Sequence, residues 1–226
     1  MSFRRAAVNK VLKGILDTIC KIDSREYLET LSNSKPLIVA INHINFLEVP
    51  ILVTHSYPLH LTGVVKSETW NNPLFAFLFN TYKAIPIDRN GSFAKAFAQV
   101  KKTLDQGFFV VIAPEGTRSS NGVMQKGKAG IVQLALQTGA AILPVAHYGG
   151  QNVWENMKHF KRTPFKLNVG CPFKLTCNEM PGHKERDEVL GEVMGQVARL
   201  LPEEMRGYYT EQAKFEEYKY LEFIEL

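Results

Sequence analysis

Leu37-Ile38-Val39-Ala40-Ile41-Asn42-His43-Ile44-Asn45-Phe46-Leu47-Glu48-Val49-Pro50 is the stretch whose reading decides the fold. Its first five residues form an apolar run of strand length, too short for a helix of its own. Pro50 is tolerated only in the first turn of a helix, so a helix opens near Phe46 or Leu47 and His43 falls in the loop between strand and helix. The same alternation repeats downstream. Residues 61–65, 84–87, 108–112 and 142–146 read as strands, and 50–56, 68–80, 92–105 and 127–138 as the helices between them. Residues 165–175 read as a late strand or hairpin and 183–200 as a late amphipathic helix. Strands interleaved with helices imply an α/β domain whose largely parallel sheet is flanked by helices.

The chain of 226 residues is 45% hydrophobic and 22% charged, close to the globular average, which excludes whole-chain disorder and a disulfide scaffold. Cys20, Cys171 and Cys177 are odd in number and form no Cys-x-x-Cys, so a reducing, cytoplasmic compartment is expected and a structural zinc site is not. No run reaches the roughly 18 to 20 consecutive apolar residues of a membrane-spanning helix.

The net charge of +5 is uneven. Residues 1–22 hold five basic side chains and one acidic, whereas 203–226 hold three basic and seven acidic. Val8, Val11, Leu12, Ile15, Leu16, Ile19 and Ile22 fall at helical spacing opposite Arg4, Arg5, Lys10, Lys13 and Lys21. Such a helix either packs on a core or lies in an anionic membrane interface. The division expected is an N-terminal amphipathic helix over 1–24, a single catalytic-sized domain over 25–205 and an acidic tail over 206–226.

There is no Gly-x-Gly-x-x-Gly, Walker loop, His-Glu-x-x-His or Gly-x-Ser-x-Gly, which argues against nucleotide cofactors and a serine acyl-enzyme. His55 and His60 lack accompanying ligands and read as surface histidines. The remaining chemistry sits at strand ends, where α/β sheets place ligands. His43 and Glu48 admit two readings. One makes His43 a general base oriented by Glu48; the other makes Glu48 a first-turn acid and His43 a polar loop residue. Ile87-Asp88-Arg89-Asn90-Gly91 places an arginine just past a strand. Pro114-Glu115-Gly116-Thr117-Arg118-Ser119, with Lys126 after it, combines small residues, hydroxyls and an arginine fork in one loop suited to oxyanions or phosphate.

Taken together, His43-x4-Glu48, Ile87-Asp88-Arg89, Pro114-Glu115-Gly116-Thr117-Arg118-Ser119 and Ile142-Leu143-Pro144-Val145 resemble, in order and approximate spacing, the four blocks of the glycerolipid or 1-acylglycerol-3-phosphate acyltransferase family. The family's first block is usually His-x4-Asp; here Glu48 is one methylene longer.

The resemblance implies an O-acyltransferase acting at the cytoplasmic face of a membrane, peripherally bound. It would move a fatty acyl chain from an acyl-coenzyme A or acyl-carrier-protein thioester to a lysophospholipid hydroxyl, foremost that of 1-acylglycerol-3-phosphate. His43 and Glu48 would be catalytic. Arg89 and Arg118 would contact phosphate, Gly116 and Thr117 would line the head-group loop, and Glu115 would orient an arginine or bind a glycerol hydroxyl. Lys126 is a further phosphate candidate. No cofactor, metal or nucleic acid is expected. Another lysolipid acceptor, such as a lyso-ornithine lipid, or a non-catalytic lipid-binding protein of the same fold are the alternatives. The aromatic run 70–79 would line an acyl slot, dip into the bilayer, or form a helix buried on all sides.

Overall fold

A computed structural model describes residues 3–88, 93–177 and 181–225. In chain order the elements are α1 (Phe3–Ile19), β1 (Cys20–Asp23), α2 (Arg25–Asn33), β2 (Ile38–Ile41), α3 (Glu48–His55), β3 (Leu61–Lys66), α4 (Pro73–Tyr82) and β4 (Ile85–Ile87). They continue with α5 (Phe93–Asp105), β5 (Phe109–Ile112), α6 (Gly130–Thr138), β6 (Ile142–Tyr148), α7 (Val153–Lys158), β7 (Thr163–Val169), β8 (Phe173–Leu175), α8 (His183–Ala198) and β9 (Leu221–Phe223).

The strands form one sheet in the order β1-β7-β6-β2-β5-β3-β4, with β8 against β6 and β9 against β8. Strand β2 lies parallel between β5 and β6, and β3 lies parallel between β4 and β5. The expected α/β domain with a largely parallel sheet is therefore present, and antiparallel pairing is confined to contacts of β6 with β7 and β8 and of β8 with β9.

The central strands are buried on both sides, as parallel strands covered by helices must be. The pleat sends Ile38, Ala40, Val110, Ile142 and Ala146 to a core shared with residues of α5, α6 and α8. Val39, Ile41, Phe109, Val111, Leu143 and Val145 face a second core beneath α1, α2 and α3.

The expected helix over 68–80 divides. Residues Ser67–Asn71 make a 3₁₀ turn, and α4 begins afresh at Pro73, which cannot continue a helix from its N-terminal side. Asn72 caps the new helix, its Oδ1 accepting from the Leu74 and Phe75 N–H groups at 3.0 and 3.2 Å. The helix expected from residue 127 starts at Gly130, because Gly127 N–H is drawn to Tyr209 Oη at 2.8 Å and Lys128 N–H to the Pro114 carbonyl at 2.9 Å. Residues 165–175 are two strands that each pair with β6 rather than with one another.

His55 is buried, not a surface histidine, because α1 covers it: Nε2 lies 3.0 Å from Asp17 Oδ1. Polar groups fasten that helix. Arg5 donates to the Leu61 carbonyl at 3.1 Å, Asn9 to the Thr54 carbonyl at 3.2 Å, and Tyr82 Oη to Asn9 Oδ1 at 3.1 Å. The apolar stripe is thereby divided: Val8, Leu12 and Ile19 pack on the core, whereas Val11 and Ile15 face solvent. Helix α4 is not buried on all sides; Leu74 is 64% exposed, and Phe75 and Phe77 are exposed with it. The segment after 206 also packs on the domain, although its acidic side chains are exposed. Tyr209, Tyr220 and Leu221 are buried, and the Glu192 carboxylate of α8 accepts the Lys219 and Tyr220 N–H groups at 3.0 and 2.9 Å.

Gly149, directly after β6, has φ +92°, and a Cβ there would lie 2.5 Å from the Pro164 carbonyl oxygen. Gly149→Ala should therefore lower stability by about 2 kcal/mol or more, read as a reduced urea midpoint with an unchanged slope.

Candidate functional site

Parallel pairing brings the C-terminal ends of β2, β5 and β6 to one edge of the sheet. Ala40 stands opposite Ile112, and Ile41 opposite Val145. The segments that follow, 42–47 and 113–119, must therefore meet there beside the end of β6.

Asn42 begins the first segment. It is buried and replaces a ladder pair with its side chain: Nδ2 donates to the His147 carbonyl at 3.0 Å, and Oδ1 accepts the His147 N–H at 2.9 Å. The His43 backbone is held at both ends by the 113–119 loop. Its N–H donates to Glu115 Oε1 at 2.8 Å, and its carbonyl accepts from Ser119 N–H at 2.8 Å.

On this fixed backbone the His43 ring bonds through Nδ1 to Glu48 Oε1. Along a continuous helix a five-residue separation would place the two about 140° apart; the bends before α3 let them meet instead. Glu48 is 1% exposed and His43 26%, so the carboxylate is enclosed while the imidazole reaches solvent. Glu48 Oε2 accepts the Asn45 N–H at 3.0 Å, and Asn45 Oδ1 accepts the Leu47 N–H at 2.7 Å. These two bonds hold the loop that leads into α3, whose first residue is Glu48. The contact between His43 and Glu48 that the first reading requires is present. Glu48 is a first-turn acid as well.

Glu115 differs from expectation. It is 2% exposed, and its oxygens accept from backbone amides, His43 N–H on Oε1 and Gln125 N–H on Oε2, the latter at 2.8 Å. It ties the backbone at residues 43 and 125 to its own loop and meets no arginine among the described residues. Burial pushes its carboxyl above the usual range, and the Gln125 and His43 amides pull it back.

Gly116 adopts φ +67°, a left-handed conformation that carries the chain round to exposed Thr117 and Arg118. Arg118 has no hydrogen bond or ion pair with another described residue, so its fork is available to a ligand. Lys126 lies 3.5 Å from Asp187 of α8, each about half exposed, which makes it a partner of that helix. Arg89 lies outside the described residues; β4, which precedes it, is parallel to β3 and so ends toward the same edge.

Two residues escaped sequence reasoning. Lys128 is exposed, and its side chain runs alongside Gly116, where an added Cβ would come within 3.3 Å of its Cδ and Cε. The Lys126-Gly127-Lys128 spacing carried that signal, but the nearer lysine to the loop is the second. His147 lies fully buried at the end of β6 with Nε2 3.5 Å from Glu48 Oε2. A histidine inside an apolar strand, beside the edge that carries the other candidates, was its only mark.

The described residues include no group of three or more His, Cys, Asp or Glu side chains placed to hold a metal ion. The site sets a solvent-reaching imidazole, backed by a buried carboxylate, next to a loop whose Arg118 and Lys128 have no ion-pair partner among the described residues, groups with the chemistry a general base and an anion site require.

Known proteins resemble this chain. The chain is 25% identical over 186 residues to the 1-acyl-sn-glycerol-3-phosphate acyltransferase of Chlamydomonas reinhardtii, covering 81% of this chain and 54% of that protein. It is 33% identical over 120 residues to the enzyme of that description from Pseudomonas aeruginosa, covering 52% and 46%. The chain thus spans about half the length of these curated relatives. The crystal structure of the 1-acyl-sn-glycerophosphate (LPA) acyltransferase PlsC from Thermotoga maritima superimposes with a TM-score of 0.58 at 21% identity, covering 85% of this chain and 80% of that one, a likeness of fold. The sequence profile described as Acyltransferase matches residues 22–148, more than half the chain and the stretch that holds His43, Glu48, Glu115, Arg118 and His147, and the chain therefore belongs to the Acyltransferase family.

Proposed function

We propose that this protein is an O-acyltransferase that moves a fatty acyl group from a coenzyme A or acyl-carrier-protein thioester to the free hydroxyl of a lysophospholipid, foremost 1-acylglycerol-3-phosphate, giving phosphatidic acid. The observation that carries this reading is the His43–Glu48 pair: Nδ1 is committed to a buried carboxylate, which leaves Nε2 of a partly exposed ring to meet a hydroxyl. The named activity of the relatives supports the same acceptor.

A thioester is already activated, so the acceptor oxygen attacks its carbonyl carbon directly as His43 Nε2 removes the hydroxyl proton. Glu48 stabilises the imidazolium that forms. Collapse of the tetrahedral adduct breaks the carbon–sulfur bond, and His43 returns the proton to the departing thiolate. The products are an ester and a free thiol. Arg118, with Arg89 and Lys128, supplies cationic groups for the acceptor phosphate.

No helix of the described residues is long and apolar enough to cross a membrane. The exposed Phe3, Val11 and Ile15 of α1 and the exposed Leu74, Phe75 and Phe77 of α4 belong to helices that touch, with the Arg4 guanidinium 4.5 Å above the Phe77 ring. An apolar surface beside a basic helix suits peripheral binding to an anionic bilayer, from which a lipid acceptor would be drawn.

The activity is tested by thiol release from each thioester against a panel of lysolipids; no release with any acceptor would refute it. His43→Ala should lower turnover by about 10²-fold or more while the far-ultraviolet dichroism stays unchanged. Glu48→Asp should cost about tenfold or more, because the shorter carboxylate cannot reach His43 and the Asn45 N–H together; a wild-type rate would show that the site tolerates either length.

Arg118→Lys keeps the charge and loses the two-pronged fork. It should raise KM for lysophosphatidate more than KM for the thioester, and equal effects on both would remove Arg118 from the acceptor site.

Serine at Leu74, Phe75 and Phe77 should make a larger share of vesicle binding reversible by salt. Basic residues contribute only about 1 kcal/mol each to binding, screened by salt, whereas the apolar insertion resists it. Unchanged binding at high ionic strength would remove α4 from the membrane surface.

A further inference from the structure

His147 is fully buried in β6, its backbone clamped by Asn42 and its ring stacked on Phe165 with centroids 4.9 Å apart and planes at 8°. Neither ring nitrogen has a hydrogen-bond partner among the described residues, and the nearest charged oxygen is Glu48 Oε2, 3.5 Å from Nε2. A buried imidazole left without partners costs free energy that an apolar side chain of similar size would avoid. Packing against Phe165 alone therefore does not account for histidine at this position.

The distance exceeds an N–H···O hydrogen bond by about 0.5 Å. Hydrogen bonds in active sites without substrate are often long and shorten when the site is loaded. Glu48 Oε1 already faces His43 Nδ1, and Oε2 accepts from Asn45 N–H with lone-pair capacity to spare.

We propose that His147 is a positioning residue of the acyl-transfer reaction, donating its Nε2–H to Glu48 Oε2 so that the carboxylate is gripped between two imidazoles, His43 on one oxygen and His147 on the other. The proposal rests on the acyltransferase reading for its catalytic consequence but not for its geometry. It also gives a reason for glutamate where the family usually has aspartate: a carboxylate one methylene longer reaches past His43 to a second partner on β6.

The protonation state fits. Burial holds the His147 imidazole below the usual histidine range, the Glu48 carboxylate pulling it up and His43 pushing it down. These are the charged and titratable groups that face it. A neutral ring donates from one nitrogen only, so the donor assignment is a statement about the tautomer.

Nitrogen-15 spectra of the histidine rings in the full-length protein test this without any substrate. The His147 ring should be neutral and protonated on Nε2 at neutral pH, and its Nε2 resonance should move in Glu48→Gln. An Nδ1-protonated ring, or a resonance indifferent to Glu48→Gln, would overturn the proposal.

Kinetics supply the second readout. His147→Phe, which keeps the stack, should lower kcat by about tenfold with KM within about twofold, and His147→Gln, which keeps a donor, should recover most of the loss. In the Glu48→Asp background, adding His147→Phe should cost nothing further, since the shared contact is already gone. Additive losses, or no recovery by glutamine, would make His147 a packing residue. Should the wild type transfer no acyl group at all, the functional reading falls while the tautomer still decides whether His147 grips Glu48.

Discussion

The Glu48 carboxylate has almost no contact with water, and a buried carboxylate persists only where its oxygens are filled by donors. That requirement organises the site. One oxygen takes His43 Nδ1, which fixes the ring's orientation. The other takes the Asn45 N–H, which holds the loop that leads into α3. A single carboxylate thereby ties the loop before α3 to the first turn of that helix and orients the His43 imidazole.

A second buried carboxylate places the first. Glu115 ties the His43 amide to the Gln125 amide and so joins the loop after β5 to the loop after β2. Ser119 adds the return bond to the His43 carbonyl, and Gly116 then turns the chain outward to present Arg118. The glutamate of the Pro-Glu-Gly-Thr-Arg-Ser run is thus the inner strut of the loop, and its exposed residues are the ones that can meet an anion. Parallel register underlies all of it, because only strands that end at the same edge bring residues 43, 115 and 147 into one place.

The α/β class, the strand positions and the His43–Glu48 pair were legible in the sequence, since each rests on local signals: apolar runs of strand length, a proline that marks a helix start, and a loop histidine five residues from an acid. What stayed hidden depends on contacts between distant segments. Strand β1 is four residues long and exists through pairing with β7. The acidic C-terminal stretch is held by Glu192, which no local pattern connects to Lys219 and Tyr220. Glu115 reads as a ligand group because a carboxylate in a polar loop is usually solvated; its burial is a consequence of the fold. His147 is hidden for the same reason, since the carboxylate it approaches lies 99 residues away in sequence. Even the stripe of α1 misleads, because Arg5 and Asn9 occupy the buried face where an apolar pattern would place leucine or valine.

The central claim is that His43, held by Glu48, activates the acceptor hydroxyl for direct attack on the thioester, with no acyl group resting on the protein. Rapid mixing of the purified protein with acyl-coenzyme A or acyl carrier protein, with and without lysophosphatidate, tests this most directly when thiol release and intact protein mass are followed together. The result expected is no thiol burst and no mass increase without acceptor, and one thiol per phosphatidic acid with it. A burst stoichiometric with protein, accompanied by a covalently acylated chain in the absence of acceptor, would contradict it.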